Sequence, residues 1–180
     1  MIYVFLADGF EESEALVPID MLRRADLCVK TVGIGKKTVT GSHKISINCD
    51  ITENDAVFEG LEGIILPGGM PGTLNLKANG TVNSFIDYAY ENNLIIGAIC
   101  AAPSILGEKG ILKDKRAVCY PGFEDKLSGA KVINEAVVRD GDIITAKGAG
   151  AVFYFAFSLV SAFKNNKTAD EIKNSVCCDF

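Results

Sequence analysis

Leu94-Ile95-Ile96-Gly97-Ala98-Ile99-Cys100-Ala101-Ala102-Pro103 is the stretch that sets the fold of this chain. Its first six residues form a continuous apolar run of strand length, the pattern of a strand buried on both faces of a parallel sheet. Proline then marks the first turn of a helix. Cys100 stands at the changeover. A thiol at a tight strand-to-helix turn points outward beside helix N–H groups that lack partners, and those groups favour the thiolate. Ala101 and Ala102 are small enough to leave room for a strained turn of the nucleophile-elbow kind. The competing reading is an apolar filler, because free cysteine is among the most buried residue types. A cysteine nucleophile usually takes a histidine base, yet the chain has one histidine, His43, far upstream.

On either side, apolar runs of strand length alternate with longer helical patterns, which predicts an α/β fold with a mostly parallel sheet covered on both faces. Strands are expected over 2–6, 28–34, 63–66, 94–99, 116–120, 132–138 and 142–146. Helices are expected over 11–25, 81–90, 102–109, 149–163 and 170–175. The 11–25 helix has an acidic start (Glu11, Glu12, Glu14) and a basic end (Arg23, Arg24), both suited to the helix dipole. Pro18 within it predicts a kink or a late start. Residues 36–47 alternate polar and apolar around Gly41-Ser42, as an accessory antiparallel hairpin would.

With 180 residues, 48% of them hydrophobic, the chain is long enough for one substantial core, so a single domain over 1–180 is expected. A net charge of −5 argues against nucleic acid and anionic membrane partners. The longest strongly apolar stretch, 149–163, is shorter than the roughly 20 residues that span a bilayer. No export signal is read at the start, and six cysteines without a regular spacing fit reduced thiols in the cytoplasm. Cys49 and Cys119 read as packing residues, and Cys177-Cys178 as a mobile tail.

Ligands of open parallel sheets bind at the carboxyl ends of the strands. Four loops should meet there: Ala7 to Glu14, Leu66 to Gly72, Ile99 to Pro103, and Lys147 to Gly150. None carries a dinucleotide or phosphate-loop fingerprint, so no nucleotide cofactor is expected. Pro67-Gly68-Gly69 offers unobstructed backbone N–H groups, and those of Gly69 and Ala101 could hold an oxyanion. Glu14, in the first helical turn, could meet Cys100 as a protonated carboxyl and move a proton. The competing readings are a topological glycine turn and helix-start electrostatics.

Taken in order, Ala7-Asp8-Gly9-Phe10-Glu11-Glu12-Ser13-Glu14, the 18–25 segment, Leu66-Pro67-Gly68-Gly69, Ala98-Ile99-Cys100-Ala101-Ala102-Pro103, Asp125-Lys126-Leu127 and Gly148-Ala149-Gly150 resemble the ThiJ/PfpI superfamily, also called DJ-one-like. The resemblance is to its ThiJ-type branch and covers residues 2 to about 168. It implies a flavodoxin-like three-layer sandwich related to class I glutamine amidotransferases, usually a homodimer. It also implies Cys100 as the reactive cysteine, Glu14 as its protonated partner, and Gly69 and Ala101 as oxyanion donors. No metal or cofactor is implied.

The departures narrow the function. Relatives that act as proteases or amidases carry a histidine directly after the cysteine, where this chain has Ala101, and no histidine follows residue 43. A peptidase triad within one subunit is therefore not expected. Tyr120 precedes Pro121 where some relatives have a pocket histidine; a phenol is a poor base at neutral pH but can orient a carbonyl. His43 and Arg24 align with basic positions that lie near an active site across the dimer interface in some relatives, although a solvated surface role for both is favoured here. Gly68 joins Tyr120, Arg24 and His43 as a possible pocket residue. The expected function is cofactor-independent action on small aldehydes or glycated protein, of the glyoxalase or deglycase type. The alternative is a redox sensor or redox-regulated chaperone acting through Cys100 oxidation.

Overall fold

The computed structural model describes residues 1–179. Along the chain run β1 (Ile2–Leu6), α1 (Glu12–Arg24), β2 (Val29–Gly33), β3 (Thr38–Thr40), β4 (Ser46–Asn48), β5 (Ile51–Thr52) and β6 (Gly63–Leu66). There follow α2 (Gly72–Ala78), α3 (Gly80–Glu91), β7 (Ile95–Ile99), α4 (Pro103–Glu108), β8 (Arg116–Ala117), β9 (Lys131–Val132), β10 (Val137–Asp140), β11 (Ile143–Ala146), α5 (Val152–Phe163) and α6 (Asn166–Ser175). Seven strands make one sheet in the order β10-β11-β7-β6-β1-β2-β5, parallel except for β10 on β11.

Side-chain alternation along each strand feeds two cores. On one face Tyr3, Phe5, Ile64, Leu66, Ile96 and Ala98 meet Val82, Phe85 and Ile86 of α3 and Ile105 of α4. On the other, Ile2, Val4, Leu6, Ile65 and Ile99 meet α1 and α5, where Phe155 and Leu159 are fully enclosed. Each large apolar side chain among them contributes about 1.5–3 kcal/mol by leaving water. Gly97 lets α5 lie close: a Cβ there would stand 2.9 Å from Leu159 Cδ2. The result is the expected flavodoxin-like sandwich of helices, sheet and helices.

Several expectations are corrected. The 116–120 strand ends at Ala117, and the 132–138 strand is two pieces: β9, which pairs with β8, and β10, which pairs with β11. Gly141, in the left-handed region at φ +63°, closes the β10–β11 turn so tightly that Asp140 pairs with Ile143 and extends β10 past the expected end. Pro18 sits inside α1 without delaying its start at Glu12. Cys178 is buried and its N–H bonds the Lys173 carbonyl, so this part of the chain folds back on the end of α6. The accessory hairpin is β3 and β4, antiparallel and apart from the main sheet. Two short elements, β5 and α2, lie where no element was expected.

Strand order reverses at β1, which lies between β2 and β6. A crevice opens at such a switch, outside the carboxyl ends of the strands. The loops after β1, β6, β7 and β11 all end there.

Candidate functional site

Cys100 follows directly on β7 in the left-handed region, φ +65°, where non-glycine residues are uncommon and strained. Its N–H donates to the Ala146 carbonyl at 2.9 Å and its own carbonyl accepts from Tyr120 N–H at 2.8 Å. The backbone is thus clamped from β11 and from the segment after β8, and the thiol sits half-buried at the turn. The strand-to-helix turn at Cys100 is thus held by tertiary hydrogen bonds.

Glu14 reaches it from the first turns of α1 and is 1% exposed. Its carboxyl faces the Cys100 thiol and the Ala149 N–H, and its Oε2 accepts from Gly68 N–H at 3.0 Å. Glycine is required at 68, because a Cβ there would stand 2.6 Å from Cys100 Cβ and 2.7 Å from Glu14 Oε2. The N–H groups of Gly69 and Ala101 both point at the sulfur, so one pair of donors is gathered where charge on Cys100 or on an adduct would lie.

Burial pushes the Glu14 carboxyl up to about 7, against the opposing hydrogen bonds from Cys100, Gly68 and Ala149. Burial, and after it the negative charge of Glu14, pushes the Cys100 thiol up to about 12, while Gly69 and Ala101 pull it back. This corrects the expectation of a thiolate favoured by the helix end: α4 has only six residues, and burial together with the Glu14 charge outweighs the Gly69 and Ala101 N–H groups. Two negative charges cannot share so small a buried space, so the pair carries at most one near neutrality. A thiolate here requires that Glu14 keep its proton. Cys49 and Cys119 are also pushed up, to about 11, by burial, which fits the packing role expected for them.

Tyr120 does reach this region. Its ring is half exposed and lines a cleft of about 440 Å³ together with Pro121, Ala136, Lys147 and the 148–151 turn. Cys100 itself is not in the wall of this cleft; the connection runs through Glu14 and Gly148. Arg24 is elsewhere in the subunit. It lies ten residues beyond Glu14, about 15 Å along the helix, paired with Asp20 on the surface at 3.0 Å. His43 is exposed in the hairpin loop, its Nδ1 3.0 Å from Glu12 Oε2 and 3.5 Å from Glu11 Oε2. Glu12 Oε1 also accepts the N–H groups of His43 and Ile45, so this buried carboxylate pins the hairpin to α1. Glu11, Glu12 and His43 are the one group among the described residues whose ligand atoms lie close enough to hold a metal, and the Glu12–His43 hydrogen bonds, the Glu11–His43 ion pair and the Ser42 hydroxyl shared by both carboxylates already account for the arrangement.

The sequence pointed to the Lys147–Gly150 loop without choosing a residue from it. What that loop brings to Glu14 is the backbone N–H of Ala149, a smaller influence than the Gly68 N–H and one that no side-chain signal reveals.

The family model described as DJ-1/PfpI matches residues 1–162. A Parkinson disease protein 7 homolog of Danio rerio is 33% identical over 94% of this chain and 93% of its own length. A protein of Caenorhabditis elegans named glutathione-independent glyoxalase DJR-1.2 is 30% identical over 93% of this chain and 90% of its own. The crystal structure of a DJ-1 superfamily protein from Salmonella typhimurium, solved as a cysteine-to-alanine mutant, superposes with a TM-score of 0.94 at 31% identity, covering 99% of this chain and 98% of that one. Agreement of sequence and fold over nearly the whole length leaves one assignment: this chain belongs to the DJ-1/PfpI family.

Proposed function

We propose that the protein is a cofactor-independent enzyme acting on small reactive carbonyls, with Cys100 as nucleophile, Glu14 as proton carrier, and the Gly69 and Ala101 N–H groups as oxyanion donors. One observation carries this: the fully buried Glu14 carboxyl and Cys100 close on the same side of Gly68, and burial raises that carboxyl to about 7, where it can both take and give a proton at neutral pH. A relative bearing the name of a glyoxalase, and one from Pyrococcus abyssi bearing that of a deglycase, support the substrate class.

For a 2-oxoaldehyde the steps balance without a cofactor. Glu14 takes the thiol proton as sulfur bonds to the aldehyde carbon, and the C=O electron pair moves onto oxygen, where Gly69 and Ala101 stabilise it. Glu14 returns the proton to that oxygen, giving a hemithioacetal. It then carries the proton on the former aldehyde carbon to the ketone oxygen, forming an enediol. Transfer of the proton from the hydroxyl on the sulfur-bearing carbon to the neighbouring carbon gives a thioester, which water hydrolyses to the 2-hydroxy acid and free thiol. The aldehyde carbon is oxidised and the adjacent ketone carbon reduced. No imidazole is needed, in keeping with the lack of any histidine after His43.

The test is methylglyoxal turnover by the wild type, Cys100→Ala and Glu14→Gln, with lactate as product and mass spectrometry of the wild type after peroxide. Lactate formation lost in both variants supports the enzyme. A wild type that makes no lactate but gains oxygen selectively at Cys100 is a redox sensor instead. Oxidation mainly at Cys177 would remove the case for special reactivity at Cys100.

A further inference from the structure

The cleft beside the reactive pair is too large for the smallest 2-oxoaldehydes. Its volume of about 440 Å³ falls in the range of about 300–1,000 Å³ typical of sites for drug-sized ligands, whereas methylglyoxal has only a handful of heavy atoms. The wall is mostly apolar, formed by the Tyr120 ring, Pro121, Ala136, Ala149 and Ala151. The cleft adjoins the proton carrier through its 148–151 turn. Its 148–151 turn supplies the Ala149 N–H that bonds Glu14, and a Cβ on Gly148 would lie 3.9 Å from Glu14 Oε1 and 3.2 Å from Tyr120 Cδ2.

One cation lines the cleft. Lys147 donates from Nζ to Asn134 Oδ1 at 2.7 Å and has no carboxylate partner among the described residues. It also lines an adjoining cleft of about 390 Å³ that shares Pro121 and contains Glu124; the Glu124 carboxylate accepts from Gly122 N–H at 2.7 Å. An ammonium at an apolar wall, held in place by an amide and unneutralised, is complementary to an anion on a ligand whose body fills the apolar part.

We propose that this cleft binds the non-reacting end of the substrate, and that it selects 2-oxoaldehydes with a bulky apolar body ending in a carboxylate, Lys147 being the specificity-determining residue. The inference rests on the carbonyl chemistry proposed above. With the aldehyde carbon at Cys100, an aryl body lies along Tyr120, Ala149 and Ala151. Its carboxylate meets Lys147, which is adjacent in sequence to the Gly148 that borders Glu14.

The experiment compares kcat/KM for methylglyoxal, phenylglyoxal and 4-carboxyphenylglyoxal in the wild type, Lys147→Met and Lys147→Arg. In the wild type kcat/KM should rise along that series. Lys147→Met should lower the ratio of 4-carboxyphenylglyoxal to phenylglyoxal by roughly tenfold to a hundredfold, as for loss of a hydrogen bond to a charged group, and Lys147→Arg should restore most of it. Calorimetry with the unreactive acids mandelate and 4-carboxymandelate gives a second readout. Absence of all turnover, with 4-carboxymandelate still bound at least tenfold more tightly than mandelate and the preference lost in Lys147→Met, would leave the cleft assignment standing and remove the chemistry. Turnover with equal kcat/KM for all three aldehydes, or a ratio untouched by Lys147→Met, overturns the cleft assignment alone.

Discussion

Replacing Glu14 by Gln should make the protein's relative stability depend on pH in a way that isolates one buried proton. The carboxyl goes from its ordinary 4.5 in the unfolded chain to about 7 in the fold, because burial disfavours the charged form. A raised carboxyl pKa means that the folded state binds the proton more tightly, so its contribution is complete below pH 4.5 and is lost as pH climbs through 7. Between pH 5 and pH 8 the folded and unfolded proton-binding curves together give a loss of about 2–3 kcal/mol. The amide that replaces the carboxyl carries no such proton to lose. Whatever fixed penalty it brings beside the Ala149 N–H, the stability of Glu14→Gln measured against the wild type should therefore improve by about 2–3 kcal/mol between those two pH values. Urea titrations of both proteins at pH 5, 6, 7 and 8 provide the number, since titrating groups remote from the site cancel in the difference. A difference that moves by less than about 1 kcal/mol, or in the opposite direction, would show that Glu14 is already ionised at pH 5, and the proton-carrier role would go with it.

Two further outcomes follow from the geometry. Gly68→Ala puts a methyl group 2.6 Å from Cys100 Cβ and 2.7 Å from Glu14 Oε2, so it should separate thiol from carboxyl and lower methylglyoxal kcat by roughly a hundredfold, the scale of a misplacement near 1 Å; activity within twofold of wild type would refute the close-packed site. His43, raised above its ordinary 6.5 first by its hydrogen bond to Glu12 and then by the charges of Glu11 and Glu12, should stabilise the hairpin below that value and cease to do so as pH rises through its folded midpoint. The midpoint, read by NMR, should fall towards 6.5 in Glu12→Gln. An unchanged midpoint would mean that the hairpin is not pinned through that carboxylate.

Much of the core is legible from short-range pattern. The 63–66 strand and the run into Cys100 are apolar without interruption because both of their faces are covered, and a buried central strand is the arrangement that hides every one of those side chains. β8, β9 and β10 escape such reading for the opposite reason: they are short, partly or, in β9, wholly exposed, and defined by which neighbour accepts their hydrogen bonds, as with Asp140 drawn into β10 by the Gly141 turn. α2 escapes it because Gly72 and Asn75 are weak helix formers; here the helix start is fixed by Gly69 and Pro71 carbonyls accepting from Thr73 and Asn75.

By itself the sequence determined the α/β class and the strand-to-helix turn at Cys100, since apolar periodicity and small residues at 101–102 are properties of the chain's order; Glu14 was singled out from the neighbouring Glu11 and Glu12 only by the family resemblance. Only the tertiary structure decided the charge of the site and who attends it. Burial by distant segments holds the proton on the Cys100–Glu14 pair, backbone N–H groups of Gly68 and Ala149 fix the carboxyl, and Arg24 is left about 15 Å down the helix. Desolvation and backbone donors depend on what surrounds a group in space, and linear order does not encode them residue by residue.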